Sequence, residues 1–166
     1  MNIKNFFNLI VIKKNAYVYL MICIMVFIDR ISKNNIIQQL ENKQRIYVND
    51  YLNLDLIWNT GIGFGLFSLE TTLLYNMMSF LIILVCLLIL YFAFKSDGAE
   101  KIFYSLIAGG ALGNIYDRIY YYAVPDFIDL HYNEFHWFTF NIADIFISMG
   151  VILLIIKELI FKNEKN

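Results

Sequence analysis

The stretch TTLLYNMMSFLIILVCLLILYFAF, Thr71–Phe94, contains 24 residues and no charge. An α-helix rises ~1.5 Å per residue, so this segment is long enough to cross the ~30 Å hydrocarbon core of a membrane. The rest of the chain has the same character, since 60% of its 166 residues are hydrophobic and 16% are charged. Soluble domains are about 45–50% apolar and ~25% charged. The sequence therefore predicts a small membrane protein with a single domain over residues 1–166.

Three further apolar runs are each too short to cross a membrane alone. They have 13, 15 and 12 uncharged residues and are bounded by charges: Ala16–Ile28, Ile102–Tyr116 and Ile145–Ile156. Each helix must therefore extend past its charged residues to span the bilayer. We predict four transmembrane helices, at about 16–37, 71–94, 102–122 and 142–161. The first run resembles the core of a cleaved signal peptide, but no small-residue cleavage site follows it, which favours a retained helix.

Basic residues divide unequally between the two sides of this four-span arrangement. The side with both termini and the middle loop carries 8 of the 13 basic residues and 4 of the 14 acidic ones, so we predict that it is cytoplasmic. Ionisable residues then gather at the outer ends of three helices: Asp29, Asp117, Arg118, Asp126 and Asp144. Charges inside a membrane usually serve a function, although each of these residues alone could simply stand among the lipid headgroups.

The segment between the first two spans carries a strand pattern. Leu52–Leu56 alternates apolar and polar residues, which is typical of a half-buried strand. Gly61, Gly63 and Gly65 follow at every second position and favour a bulge or a close backbone approach. We therefore predict a mainly α-helical protein with a small extracytoplasmic β-sheet, about residues 45–68, between helices 1 and 2.

The cysteines and histidines do not indicate a disulfide or a metal site. Cys23 and Cys86 lie inside apolar runs, where packing is the expected role. His131 and His136 are five residues apart in a predicted loop without other metal-ligand residues at suitable spacing. The net charge of -1 gives no basic excess for binding nucleic acid.

The third predicted helix ends in a polar cluster. Gly109 and Gly113 are four residues apart and predict a close-packing surface for another helix. Asn114 and Arg118 share a face at the same spacing, one turn further along. Asp117 precedes Arg118, and mutual neutralisation of these two residues is the role we favour for Asp117.

Two further aspartates follow this cluster. Asp126 comes after Pro125, which discourages continuation of the helix. Asp144 opens the fourth helix, and Asn141 precedes it by three residues as a candidate cap. A carboxylate is favoured at a helix N-terminus, and this structural role alone could explain Asp144. Two Asp side chains in contact would instead share a proton, and one could activate water while the other protonates a carbonyl, as in aspartic proteases.

The chain resembles the lipoprotein signal peptidases, the bacterial signal peptidase II family, in five blocks in the same order. Asp29–Lys33 resembles the family's Asp-x-x-Ser/Thr-Lys, and Asn59–Gly65 resembles Asn-x-Gly-x-Ala-Phe-Gly. Gly109–Arg118 resembles Gly-Gly-Ala-x-Gly-Asn-x-x-Asp-Arg. Val124–Ile128 resembles Val-Val-Asp-Phe-Ile, and Phe140–Asp144 resembles Phe-Asn-x-Ala-Asp. The match extends from about residue 16 to 161, nearly the whole chain.

This resemblance implies an aspartic endopeptidase of the bacterial cytoplasmic (inner) membrane with its active site near the outer face. Its members remove the signal peptide from prolipoproteins by cutting before a diacylglyceryl-modified cysteine. By motif match, the catalytic residues would be Asp126 and Asp144. The substrate-binding residues would be Asn59, Gly110, Asn114, Arg118 and Asn141, with Asp29 and Lys33 in supporting roles.

The resemblance also fixes expectations about partners. It implies no metal and no organic cofactor, and it implies that the cyclic peptide antibiotic globomycin targets the enzyme. We expect prolipoproteins and membrane lipid as partners, no nucleic acid, and a monomer. Three residues depart from the family pattern: Gly63 in place of Ala, Pro125 in place of Val, and Phe138 where Pro is common. We expect these departures to change the local backbone geometry and no proposed catalytic side chain.

Two other classes of protein would share some of these features. A small proton-coupled transporter or channel also places Asp and Arg in its spans, but it needs polar groups through the whole membrane depth. In this chain they gather at one end, and the second span is free of charge. A non-catalytic scaffold would need none of Asp126, Asp144 and Arg118, so substitution of the aspartates separates it from an enzyme.

Overall fold

The computed structural model describes residues 15–40, 45–61 and 72–163. These residues form four long helices and one four-stranded antiparallel sheet, a mainly α-helical architecture with a small sheet, as predicted. The helices are α1 (Ala16–Leu40), α2 (Thr72–Lys95), α3 (Gly98–Tyr120) and α4 (Ile142–Asn163). The strands are β1 (Ile46–Asn49), β2 (Leu52–Asn59), β3 (Val124–Tyr132) and β4 (Phe135–Phe140).

Helix α1 buries one narrow stripe along its whole length. The buried positions recur every three or four residues, which places them on one face: Val18, Ile22, Met25, Asp29, Lys33, Ile36 and Leu40. The helix runs without a break through Asp29, Arg30 and Lys33, and it turns the first and third of these inward. The apolar stripe therefore carries an ion pair into the interior.

Helix α3 is the centre of the bundle and packs against each of the other three helices. Glycines allow the closest of these approaches. A Cβ atom at Gly109 would lie 2.9 Å from the Met25 side chain of α1, and one at Gly110 would overlap the carbonyl oxygen of Ala143 on α4. Gly150 of α4 meets the backbone of Phe103 in the same way. The glycine cluster thus brings α1 and α4 against α3, as the spacing of Gly109 and Gly113 predicts.

The outer surfaces of the helices are apolar. Leu73 is 70% exposed, and Phe27, Leu20 and Leu159 are each at least 60% exposed. Among the described residues one helix, Leu73–Lys95, is long and apolar enough to cross a membrane by its length and composition. Contiguous exposed apolar surface of this extent is rare on soluble monomers and common on proteins that contact lipid.

The sheet has the order β1-β2-β3-β4, and all its pairs are antiparallel. Strand β2 pairs with β3 over its whole length, with an irregularity between Leu54 and Ile57. Pro125 lies opposite Trp58 of β2 near the start of β3. Pairing of β3 with β4 begins only at Ile128, so the missing N–H of Pro125 leaves no gap in that ladder.

The structure corrects three sequence-based interpretations. The sheet does not lie only between the first two helices, because β3 and β4 come from the segment between α3 and α4, and predicted residues 62–68 lie outside the described part of the chain. His131 and His136 lie on paired strands rather than in a loop, since β3 and β4 form a hairpin. Cys86 is buried as expected, but Cys23 is exposed on α1, so the packing role predicted for it is wrong.

Candidate active site

Asp126 is a buried carboxyl group near the start of β3, and 2% of the residue is exposed. Its Oδ2 accepts a hydrogen bond of 2.8 Å from Nδ2 of Asn59. Its Oδ1 accepts one of 2.6 Å from Nδ2 of Asn141. The register of β2 on β3, which pairs Ile57 with Asp126, brings Asn59 beside this carboxyl group. Two long-range contacts therefore hold one side chain, one from the sheet and one from the start of α4.

The surroundings of Asp126 favour its protonated form. Burial raises the pKa of Asp126, the nearby charge of Asp144 acts in the same direction, and the resulting pKa is about 7. Hydrogen bonds from Asn59 and Asn141 and the positive charge of Lys33 oppose this shift. Desolvation is the largest of these effects, so Asp126 exchanges its proton near neutral pH.

Asp144 lies in the first turn of α4, and Asn141 caps that turn. Oδ1 of Asn141 accepts a hydrogen bond of 3.1 Å from the backbone N–H of Asp144, and the N–H of Asn141 donates to Oδ2 of Asp144 at 3.2 Å. This reciprocal pattern is a capping box, here with an aspartate at its third helical position. It confirms the capping role predicted for Asn141. Since Nδ2 of Asn141 also donates to Asp126, one residue links the two carboxyl groups.

Three asparagine side chains aim their amino groups at these carboxyl groups. In each one, a donor on the amide oxygen fixes which end of the amide faces the carboxyl group. Oδ1 of Asn59 accepts from the N–H of Gly61 at 2.8 Å, and Oδ1 of Asn141 accepts from the N–H of Asp144. Oδ1 of Asn114 accepts from Nζ of Lys33, also at 2.8 Å, and its Nδ2 donates to Oδ1 of Asp144 at 2.8 Å.

Lys33 anchors a buried ionic cluster directly behind Asn114. Its Nζ donates to Oδ2 of Asp29 at 2.9 Å and to Oδ2 of Asp117 at 2.7 Å, in addition to Asn114. An ammonium group has three protons, so all its donors are used. Arg30 Nη1 adds an ion pair of 2.6 Å to Asp117 Oδ1, without hydrogen-bond geometry between them. Two acidic and two basic side chains are thus brought together.

This cluster corrects the pairing predicted for Asp117. Its described partners are Lys33 and Arg30 of α1, whereas the predicted partner, Arg118, points elsewhere. Adjacent residues on a helix project in different directions, so a helix does not favour a contact between them. The structural role predicted for Asp117 remains, but its partners lie on another helix.

Arg118 lies at the last turn of α3, and 6% of it is exposed. Its Nη2 donates to the carbonyl oxygen of Gly61, and Gly61 in turn donates to Asn59. The guanidinium lies 5.8 Å from the ring centroid of Tyr75, and the Tyr75 hydroxyl donates to the carbonyl oxygen of Arg118 at 3.2 Å. Arg118 is therefore connected to Asp126 through Gly61 and Asn59.

The other predicted site residues lie around the same centre. Asp29 accepts a hydrogen bond of 3.1 Å from the N–H of Ala143 at the start of α4, so it holds α1 against the turn that carries Asp144. Gly110 faces Ala143, and a Cβ atom at Gly113 would lie 2.6 Å from Asp29. The structure therefore brings together all nine residues predicted from the sequence. Gly110 contributes through close helix packing, and a contact of its backbone with substrate stays a prediction.

An apolar groove of about 460 Å³ opens beside the carboxyl pair. Asp144 lies among its walls, with apolar side chains from the hairpin and from α4: Leu130, Phe138, Phe140, Ile145, Met149, Ile152 and Leu153. Such a groove, with a charged group among its walls, suits a largely apolar ligand that must be positioned at one polar point.

Two residues that contribute to this geometry, Arg30 and Tyr75, are not singled out by the sequence analysis. Arg30 was identified only as part of a family motif, although its position between Asp29 and Lys33 makes a charge cluster plausible. Tyr75, Asn76 and Ser79 are polar residues in an otherwise apolar helix, and their spacing places them on one face. This polar face of α2 could have been predicted from the sequence.

The chain is similar to known proteins in both sequence and fold. The model of the signal peptidase (SPase) II family matches residues 21–160. A lipoprotein signal peptidase from Pelagibacter ubique is 52% identical over 155 residues, which cover 92% of this chain and 93% of that protein. One from Aquifex aeolicus is 39% identical over 148 residues, 88% of each chain.

A solved structure, described as a bacterial membrane enzyme determined by the in meso method, has the same fold. It superimposes with a TM-score of 0.78 at 28% sequence identity, over 90% of this chain and 92% of the other. The family match covers most of the chain, and the relatives are covered almost completely. The chain therefore belongs to the signal peptidase II family.

Proposed function

We propose that this chain is an aspartic endopeptidase that removes the signal peptide from prolipoproteins by cutting before the diacylglyceryl-modified cysteine. The observation that carries this proposal is the pair of buried carboxyl groups, Asp126 and Asp144, joined through Asn141. The relatives named as lipoprotein signal peptidases support the substrate class. The apolar groove beside Asp144 supports it as well, because a signal peptide is largely apolar.

The chemistry needs one protonated and one ionised carboxyl group. The ionised one removes a proton from water as the water oxygen attacks the carbonyl carbon of the scissile bond, and the protonated one donates to the carbonyl oxygen. The resulting tetrahedral intermediate then collapses, its C–N bond breaks, and the leaving nitrogen receives a proton. Burial favours the protonated form of Asp126 near neutral pH, so Asp126 is suited to hold the shared proton.

The surrounding residues have distinct parts in this mechanism. Asn59, Asn114 and Asn141 hold the carboxyl groups in place through amide donors of fixed orientation. Lys33 fixes the orientation of Asn114. Asp29 connects the ionic cluster around Lys33 to the start of α4. In the substrate complex, backbone carbonyl groups of the peptide bind near Arg118 and Gly110. The reaction uses no metal or organic cofactor.

The proposal includes a membrane arrangement. All four helices span the bacterial cytoplasmic membrane, both termini lie in the cytoplasm, and the sheet and carboxyl pair lie at the outer face. The exposed apolar surfaces of α1, α2 and α4 support this arrangement, as does the excess of basic residues on one side. Reporter fusions after residue 95 and at the C-terminus should report the cytoplasm, and a fusion near Asn49 the outside. A C-terminal fusion on the outer face would refute the four-span topology.

Substitution of each aspartate tests the activity. Asp126→Asn and Asp144→Asn preserve size but remove the exchangeable proton, so each should abolish cleavage of a diacylglyceryl-modified prolipoprotein by purified enzyme. Asp129→Asn is the matched control, because Asp129 is also a buried aspartate of β3 but bonds to His136 instead. The control should cleave normally and be inhibited by globomycin. Cleavage by either variant of the pair, at a rate near that of the control, would refute the catalytic assignment.

A further inference from the structure

A second cavity lies between α2 and α3, at the same end of the bundle as the carboxyl pair. Its volume is about 300 Å³. Four of its nine lining residues are apolar, namely Phe80, Ile83, Ile115 and Ile119, and the other five are Tyr75, Asn76, Ser79, Arg118 and Tyr122. The apolar groove beside Asp144 lies against α4 and the hairpin instead, so the two cavities are separate.

Two buried donors at this cavity have no partner within the described part of the chain. Arg118 is 94% buried, and its Nη1 makes no hydrogen bond there, although Nη2 is bonded to Gly61. Oγ of Ser79 is also buried without a described partner. Donors removed from water cost free energy unless they are satisfied, so these two groups point to a ligand with hydrogen-bond acceptors.

The remaining wall specifies the kind of ligand. Among the described residues that line the cavity, Arg118 is the only charged one, and six are aliphatic or aromatic. An uncharged acceptor attached to a hydrocarbon chain fits both features, and an acyl ester carbonyl is such a group. Leu87 continues the face of Ser79 and Ile83 along α2 and is 57% exposed, so a chain leaving the cavity would run along apolar surface.

Hydrogen bonds connect this cavity with the carboxyl pair. Arg118 donates to Gly61, Gly61 donates to Asn59, and Asn59 donates to Asp126. Three successive hydrogen bonds therefore connect a group bound at Arg118 with the proposed catalytic centre. A lipid attached to the residue next to the cleaved bond would need a binding site close to this centre.

We propose that this cavity binds the glyceryl ester carbonyl groups of the substrate's own lipid, with Arg118 Nη1 and Ser79 Oγ as the donors. The inference rests on the proposed function, because it takes the diacylglyceryl-modified cysteine as substrate. Esters of bilayer phospholipids present the same chemistry, and the experiment distinguishes the two sources.

The test compares two synthetic prolipoprotein peptides of identical sequence, one with ester-linked and one with ether-linked chains on the glyceryl group. The ether peptide lacks the carbonyl acceptors. Wild-type enzyme should have a higher kcat/KM for the ester peptide. Ser79→Ala should lower kcat/KM for the ester peptide about fivefold, the factor expected from one lost neutral hydrogen bond, so the ester-to-ether ratio falls. Ser105→Ala, which removes a buried hydroxyl bonded to Lys101 on α3, should keep the wild-type ratio.

Thermal unfolding separates this role from a structural one. Ser79→Ala removes a hydroxyl without a described partner, so its melting temperature in detergent should equal or exceed that of the wild type. An unchanged ester-to-ether ratio in Ser79→Ala would overturn the proposal. So would a ratio that depends on ester or ether lipid in the surrounding nanodisc rather than in the peptide, since the cavity would then hold bilayer lipid. Failure of the wild type to cleave either peptide would overturn the proposed function, and the lipid assignment with it.

Discussion

Replacement of Lys33 by Met should destabilise the protein more than any change at its surface. Lys33 is fully buried, and its ammonium group contacts Asp29, Asn114 and Asp117 at 2.7–2.9 Å. Methionine has nearly the same length but no charge and no donors. In the variant, Arg30 would be the one basic side chain among the described residues that still neutralises the two carboxylates. One buried negative charge would therefore lack a counter-charge.

The expected effect follows from the burial of this cluster. Removal of one partner from a buried ion pair typically costs ~3–5 kcal/mol, because the remaining charge stays away from water. In a chain of this length, each ~1 kcal/mol shifts the melting temperature by about 2–4 °C. Lys33→Met should therefore melt ~6–20 °C below the wild type. A thiol-reactive dye in detergent measures this, since Cys86 is buried and reacts upon unfolding, whereas exposed Cys23 is first replaced by Ala.

A second substitution tests the cause. Asp117→Asn removes one of the two carboxylates. The double variant Lys33→Met/Asp117→Asn therefore keeps one acidic group, Asp29, and one basic group, Arg30, so its charges balance as they do in the wild type. It should melt above the single variant Lys33→Met. The reasoning would be refuted if Lys33→Met melted within about 1 °C of the wild type, or if the double variant were no more stable than the single one.

The remaining predictions concern the proton of Asp126, one of its amide donors, the contact of Gly110 with α4 and the guanidinium of Arg118. Cleavage should fall as the pH rises through about 7, where Asp126 loses its proton, and a profile of kcat/KM against pH measures this. Asn59→Ala removes a hydrogen bond that favours ionised Asp126, so this fall should move to higher pH, and an unmoved profile would contradict that role. Gly110→Ala should lower the free energy of unfolding by ~1–3 kcal/mol, measured in detergent, because its Cβ would overlap the Ala143 carbonyl oxygen. Arg118→Lys keeps the charge but loses the planar fork, so cleavage should fall about tenfold in a folded protein, and near-normal turnover would exclude use of the guanidinium geometry.

The helices could be predicted because their signals are local. An uncharged run of 24 residues indicates α2 directly, and the observed helix covers Thr72–Lys95. The short first run required a helix that continues past Asp29 and Lys33, and α1 does so. Helix periodicity then explains why these two charges face inward, since they are four residues apart and continue the buried stripe.

The hairpin could not be predicted by the same reasoning. Strand β4, Phe135–Phe140, is largely exposed and lacks a clear alternation of apolar and polar residues. Strand β3 is stabilised by β2, which lies more than 60 residues earlier in the chain, for example where Asn59 pairs with Val124. Such a pairing has no signature in a local window, because tertiary contacts rather than propensity decide it. For the same reason, the sequence predicts a loop at the histidines of β3 and β4, where the structure has a hairpin.

The residues of the candidate site could be predicted by motif match, but the orientation of their side chains could not. The chain has 16 asparagines, so no single one could be identified as a site residue from its type. What distinguishes Asn59, Asn114 and Asn141 is a donor on each amide oxygen: a backbone N–H for two of them and Lys33 for the third. With the oxygen occupied, each amino group must face a carboxyl group. Lys33 therefore acts on the carboxyl pair without touching it, because its contact with Asn114 determines which end of that amide meets Asp144.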